Sequence, residues 1–228
     1  MPEIFSIIAN YWVDFGDLIL EGTRDTLVMT FVATGFAYVL GIPLGVLLTV
    51  SAPGSLRPNR LISGVLGWIV NIGRSLPFII LIVVLVPVTR MIVGTSLGVP
   101  GAIVPLAVAA TPFVARIIEN SLAEIPNGVI EAAQSYGASL WQIITKVYLS
   151  EALPAILRSA AIVVITVFGY TAIAGTVGAG GLGDIAIRYG VHRFETDVLM
   201  IILVVIIILI QLIQTFFDII VRKVDKRA

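Results

Sequence analysis

Residues 27–50 run the thickness of a bilayer without one charged side chain. A membrane-spanning helix needs about 20 predominantly apolar residues. Within hydrocarbon the backbone must satisfy its own hydrogen bonds, so such a run reads as a transmembrane helix. Pro43 sits inside it, where water or a neighbouring helix must satisfy the carbonyl it leaves unpaired, and a kink is expected. The run ends at SAPGSLRPNR, a turn with two prolines and two arginines.

The pattern recurs. Spans are expected at about residues 27–50, 75–93, 102–117, 156–177 and 198–220, with a long polar connection at about 118–154. The segment 61–72 is apolar but too short to span. Arg74, Ser75 and Pro77 follow it, so it is placed near one face, with the second span starting close to Ser75. An arginine at mid-membrane costs about 2.5–3.5 kcal/mol on the insertion scale. Arg74 is therefore either an interfacial, snorkelling residue or one that lines a wet path. Residues 1–25 are mixed: Ile4, Ile8, Tyr11, Trp12 and Leu18 suit an interfacial helix, and a weakly ordered leader is the alternative. The N-terminus lacks a basic region and carries Glu3, Asp14 and Asp17, unlike a cleaved signal peptide.

Composition narrows the function. The chain is 58% hydrophobic and 12% charged, with mean hydropathy +1.07, against about 25% charged in soluble domains. Net charge is zero, so nothing marks a nucleic-acid surface. No cysteine and one histidine, His192, leave little for disulfides, a metal site or a nucleophilic triad. The sequence is thus read as an all-α, polytopic membrane protein with five transmembrane helices and no catalytic site of its own. Orientation follows the Lys and Arg near span ends. One side holds Arg57, Arg60, Arg116, Lys146, Arg158, Arg222, Lys223, Lys226 and Arg227; the other holds Arg24, Arg90, Arg188 and Arg193. The richer side is expected in the cytoplasm, with the C-terminus, and the N-terminus outside.

The stretch 131–153, EAAQSYGASLWQIITKVYLSEAL, is the polar exception between spans. Pro126 and Asn127 break the chain before it, and Glu131, Ala132 and Ala133 are good helix formers. Gly137 interrupts, and Ser139 is a plausible N-cap for a restart. Leu140, Ile143, Ile144, Val147 and Tyr148 then recur at helical spacing. Two short helices hinged at Gly137 are expected, with that apolar face docked in a protein groove.

These residues resemble the EAA loop of bacterial ABC importer permeases: Glu131-Ala132-Ala133, Gly137 after three residues, then Val147 and Leu149. The family pattern ends in Leu-Pro; here Ser150 follows Leu149, and Leu153-Pro154 comes later. RSLPFIIL from residue 74, IVGTSLGVPGAIVPL from 92, PFVARIIENSLAEIPNGVIEA from 112 and AGTVGAGGLGDIAIRYG from 174 are similar to the methionine-type permeases. The resemblance implies a coupling helix seated in a cleft of an ATP-hydrolysing subunit, carried by Glu131, Ala132, Ala133, Ser135, Tyr136, Gly137, Ala138, Leu140, Val147 and Leu149. It implies a homodimer in the bacterial inner membrane, two ATP-binding subunits that hold the Mg-ATP, no cofactor in this chain, and an extracytoplasmic substrate-binding lipoprotein. Another amino acid or small solute as cargo, or an ion-coupled carrier, are the alternatives. Carriers place ionisable groups at broken helices inside the membrane, and the expected spans hold almost none beyond Arg74.

Two further groups are candidates. Arg74, Ser75, Pro77, Thr166, Tyr170 and Thr171 could line a path or gate; the hydroxyls could equally bond between helices. The polar, glycine-rich loop after the fourth span carries Gly180, Gly181, Asp184, Arg188, His192 and Arg193, either a docking surface for the binding protein or a solvated loop. Gly178, Gly180 and Gly183 satisfy G-x-G-x-x-G, but a dinucleotide site needs a preceding strand. Here the motif follows a span, so backbone freedom and close helix approach are preferred.

Overall fold

The computed structural model describes residues 2–224, with side chains from Phe15 onward. Among these residues the regular structure is entirely helical: α1 (Pro2–Ser51), α2 (Arg60–Ser75), α3 (Phe78–Val84), α4 (Val86–Val93), α5 (Gly98–Ala123), α6 (Asn127–Ser135), α7 (Leu140–Gln142), α8 (Leu149–Gly175), α9 (Gly181–Ile185) and α10 (Thr196–Val224). Four helices are long and apolar enough to cross a membrane: Phe15–Ser51, Gly98–Ala123, Leu140–Gly175 and Thr196–Val224. A fifth crossing requires counting as one broken span α2 and α3, which meet at 105°.

That break follows from local chemistry. Ser75 ends α2, Leu76 is extended, and Pro77 caps α3. Proline restricts the residue before it to extended conformations, so the helix stops there. Asn59 caps the other end of α2, its side chain accepting from the Leu61 and Ile62 amides at 3.1 Å each.

The N-terminal expectation is corrected. Residues 2–26 are not a helix separate from the first span but the continuous start of α1. The described side chains explain the continuity. Asp17, Glu21 and Arg24 share an exposed stripe, while Ile19, Gly22, Thr26 and Met29 recur on the buried face. Leu18 is half-buried in the core. The side chains of Glu3, Ile4, Ile8, Tyr11, Trp12 and Asp14 lie outside the described residues, as do Lys226 and Arg227. α1 continues unbroken through Pro43.

The chain divides into two compact units. One takes the chain up to Ala33 with Pro77–Leu106 and Ile165–Leu212. Its core joins Ile19, Leu182, Ile185, Val198 and Ile202, with the Phe15 ring edge-on to Tyr189 at 5.4 Å. Thr26 Oγ1 accepts the Leu182 amide at 2.9 Å, tying the start of α9 to α1. The expected polar loop at 178–197 is largely helical: α9 runs into a π-helical segment, Ala186–Val191, before α10 begins. Glycine propensity is overridden because bare backbone is what fits. A Cβ on Gly181 would lie 2.7 Å from Thr26 Oγ1, and one on Gly183 would lie 2.5 Å from the Ala172 carbonyl.

The other unit takes Thr34–Leu76, Ala107–Val164 and the chain from Ile213. Leu48, Val70 and Ala115 form a buried cluster flanked by Leu44 and Leu66. Lipid tails are as apolar as leucine, so such contacts gain packing rather than the hydrophobic effect, and close approach matters. Gly41 and Gly45 supply it. Their positions meet Val114 and the Ala115–Ile118 turn, where a Cβ on Gly45 would sit 2.6 Å from the Ala115 carbonyl oxygen.

Candidate functional site

The α6–α7 connection is built within the second unit. Pro126 precedes α6, and buried Ile130 holds the helix down. Behind it, a cleft of ≈ 190 Å³ is lined by Gly54, Ser55 and Leu56 of the α1–α2 link and by Asn127, Ile130, Glu131, Gln134 and Tyr148. Ser55 Oγ donates to the Val50 and Ala52 carbonyls, which fixes that link. Glu131, Ala132, Gln134 and Ser135 face outward, and Ala133 is half-buried. Ser135 Oγ is spent on the Glu131 carbonyl at 2.9 Å.

The reversal at the end of α6 is closed by backbone bonds. The Tyr136 amide donates to Ala132 O at 3.1 Å, Gly137 to Gln134 O at 2.9 Å and Ala138 to Ala133 O at 3.1 Å. Gly137 has φ +76°. Left-handed geometry after a helix end is glycine's usual station, because a Cβ would meet the following carbonyl. A Cβ there meets no other atom within 4 Å, so the requirement is conformational rather than steric. Two residues on, Ser139 is the N-cap in a reciprocal capping box with Gln142.

The restart differs from the expected second short helix. α7, a π-helical segment (Ile143–Tyr148) and α8 form one helix, Leu140–Gly175, because Pro154 lies within the helix without ending it. The apolar face expected to fill a partner's groove is turned largely onto the chain itself. Ile143 and Tyr148 are buried, and Leu140, Ile144, Val147 and Leu149 are half-buried. The outward aromatics are instead Tyr136, 92% exposed, and Trp141, 72% exposed, on either side of the Gly137 turn. Trp141 is missed by helical-spacing arguments, since it falls off the apolar stripe. An aromatic on the polar side of an amphipathic helix was the available signal.

The other candidates separate. Arg74 is exposed at the end of α2, and Ser75 Oγ donates to Asn71 O at 2.9 Å. Pro77 caps α3, and the neighbouring Phe78 ring stacks on Tyr170 at 4.8 Å and 7°. Thr171 is buried with its hydroxyl committed to Phe168 O at 2.6 Å, inside its own helix. Thr166 is half-buried. Gly180 and Gly181 serve packing against Asp25 and Thr26 of α1. Asp184 pairs with Arg188, Arg193 lies over the Tyr189 ring at 4.5 Å, and His192 is exposed. Phe194, 85% exposed at φ 59°, stands beside them and was not singled out by sequence. The glycine motif at 178–183 joins helix to helix with no strand before it, so its nucleotide-binding context is missing.

Residues 41–228 match the family described as binding-protein-dependent transport system inner membrane component. The Vibrio cholerae protein named probable D-methionine transport system permease protein MetI is 50% identical over 223 residues, 98% of this chain and 99% of its own. The Escherichia coli K12 D-methionine transport system permease protein MetI is 51% identical over 158 residues, 69% of this chain and 73% of its own. A solved structure of inward facing conformations of the MetNI methionine ABC transporter superposes with TM-score 0.92 at 49% identity, covering 93% of this chain and 99% of that one. An amino acid ABC transporter crystallised with histidines, 20% identical with TM-score 0.76, shares the fold. The chain belongs to the binding-protein-dependent transport system inner membrane components, in their methionine-type permease branch.

Proposed function

We propose that the chain is the permease subunit of an ATP-driven importer that carries methionine, in L and D forms, across the bacterial inner membrane. The observation that carries this is the 50% identity to the Vibrio cholerae protein named probable D-methionine transport system permease protein MetI, across 98% of the chain. Two copies pair around a central path. Two ATP-binding subunits, which hold the Mg-ATP, dock on the cytoplasmic side. An extracytoplasmic lipoprotein delivers the substrate. The N-terminus lies outside and the C-terminus in the cytoplasm; Arg57 before α2 and Arg60 at its start, with Arg222 and Lys223 ending α10, accord with positive charge on the inner side.

The exposed turn from Glu131 to Gly137 is the ATPase contact, with Tyr136 and Trp141 as its aromatic anchors. ATP binding draws the motor subunits together and displaces the turn. A helix moves as a body, and Leu140–Gly175 runs from the turn deep into the apolar part of the chain without a break. Displacement at Ser139 is therefore delivered through the π-helical segment Ile143–Tyr148 and along α8. Hydrolysis reverses the motion. Because coupling of binding equilibria is reciprocal, a substrate-driven change in the path must also alter nucleotide affinity at the motor.

The test is uptake of labelled L- and D-methionine by cells lacking the gene, with and without its restoration. Restored uptake is expected. Unchanged uptake with the subunit inserted in the membrane overturns the substrate.

A further inference from the structure

Among the described residues, three buried side-chain oxygens have no hydrogen-bond partner: Thr34 Oγ1, Tyr38 OH and Thr89 Oγ1. Thr89 stands by itself on α4. The other two lie one helical turn apart on α1, both in the second unit. They end a column on that helix in which every fourth residue carries a hydroxyl: Thr26, Thr30, Thr34 and Tyr38. The first two are satisfied. Thr26 Oγ1 accepts the Leu182 amide at 2.9 Å, and Thr30 Oγ1 donates to the Thr26 carbonyl at 2.8 Å. Thr34 is buried and makes no such bond back to its own helix. Tyr38 is at the middle of the charge-free run 27–50, a depth at which lipid offers no hydrogen bond.

The register of α1 on α5 shows what lies opposite. Gly41 meets Val114, and Gly45 meets Ala115 and Ile118, so the two helices descend side by side in the same direction. One turn earlier on each, Tyr38 comes level with Thr111 and Ala37 with Ala110. Thr111 Oγ1 donates to the Ala107 carbonyl at 2.7 Å, and a hydroxyl oxygen that donates can still accept. Besides these hydroxyl residues, the buried positions of both helices at these levels are Ala33, Ala37, Ala107 and Ala110. No large apolar side chain of either helix crowds the hydroxyls.

A hydroxyl taken out of water and left unbonded is costly. The ligand that removes the cost here must be very small, and must both donate and accept. Water is that ligand: a buried water makes about three hydrogen bonds to groups otherwise unsatisfied. We infer that Thr34 Oγ1 and Tyr38 OH hold a buried water molecule between α1 and α5, with Thr111 Oγ1 as its third partner. The site is independent of what the chain carries. It joins two helices through a polar contact at mid-membrane, one turn away from the glycines that let them approach.

The test is synchrotron X-ray radiolysis of the full chain in phosphatidylcholine nanodiscs. Ionised water oxidises the side chains beside it, and mass spectrometry reads the products residue by residue. Tyr38 should be oxidised faster than Phe168, a buried ring used as the dry control. Thr34→Val keeps the shape and loses the hydroxyl, so oxidation of Tyr38 should fall to the level of Phe168. Thr34→Ser should restore it. Oxidation of Tyr38 no faster than that of Phe168 in the unaltered chain overturns the site. Oxidation that survives Thr34→Val also overturns it, because the water then reaches the ring by another route. Thermal melting in the same nanodiscs gives an independent sign. With the water in place, Thr34→Val and Tyr38→Phe each take away one of its partners, so each lowers the melting temperature, and the double variant falls by less than the two drops combined. With dry hydroxyls, each change deletes an unsatisfied group. A melting temperature that holds or rises in both single variants therefore overturns the site.

Discussion

Ser139 and Gln142 cap one another. The Gln142 amide donates to Ser139 Oγ at 3.3 Å, and the Ser139 amide donates to Gln142 Oε1 at 2.8 Å. This exchange sets where the helix Leu140–Gly175 begins, directly after the turn at Gly137. It converts an exposed loop into the rigid end of a membrane helix.

Replacing Ser139 with alanine removes one half of that exchange. Loss of an N-cap costs about 1 kcal/mol. Hydrogen exchange at the Gln142 and Ile143 amides, bonded to Ser139 Oγ and Ser139 O, should quicken by roughly 5-fold, the equivalent of that energy. Methionine uptake should fall while insertion is unchanged. Unaltered exchange would mean the cap does not hold the helix start.

Trp141→Ala separates docking from folding. Trp141 is 72% exposed, and surface substitutions usually change stability within about 0.5 kcal/mol. An aromatic hot spot contributes about 2 kcal/mol or more to an interface. The expected outcome is a normally melting permease that retains its ATP-binding subunit at least ~10-fold less well in a pull-down. Equal retention would remove Trp141 from the interface.

Gly45→Val and Gly35→Ala make a pair on one helix. The Cβ at position 45 would overlap Ala115 and Ile118, whereas nothing lies within 4 Å of one at position 35. Overpacking costs about 1–3 kcal/mol. Thermal melting of the purified subunit should drop for the first and hold for the second.

Thr26→Val leaves the buried Leu182 amide without its acceptor. An unsatisfied buried donor costs about 1–3 kcal/mol. Melting should fall, and trypsin cleavage near Arg188 should accelerate as α9 loosens. Identical cleavage would show that α9 is held by packing alone.

Much of this was legible from residue order. The charge-free runs announced helices across a membrane. The break at Arg74, Ser75 and Pro77 marked where α2 stops, and Gly137 with Ser139 marked the turn and its restart. What escaped was tertiary. Glycines at 181 and 183 read as loop, yet α9 starts there, with Gly181 at φ +81°, because bare backbone fits against Thr26 and Ala172. Leu140–Tyr148 read as a partner-facing helix because spacing reveals an apolar stripe but not its host; the chain itself hosts Ile143 and Tyr148. Residues 1–25 read as mixed and separate from the first span because the exposed stripe of Asp17, Glu21 and Arg24 on a longer helix is visible only once the opposite face is packed.

The central claim is that the turn at Gly137 transmits force between this chain and its motor. The most direct measurement is methionine uptake together with substrate-stimulated ATP hydrolysis in reconstituted complexes carrying Gly137→Asp or Gly137→Asn. Asparagine and aspartate both tolerate the left-handed region better than most residues, so they differ chiefly in charge. Asparagine should retain most activity. Aspartate, adding a negative charge to the exposed turn that follows Glu131 in the chain, should abolish uptake and stimulated hydrolysis together while the subunit remains folded and inserted. Normal uptake in the aspartate variant would contradict the account.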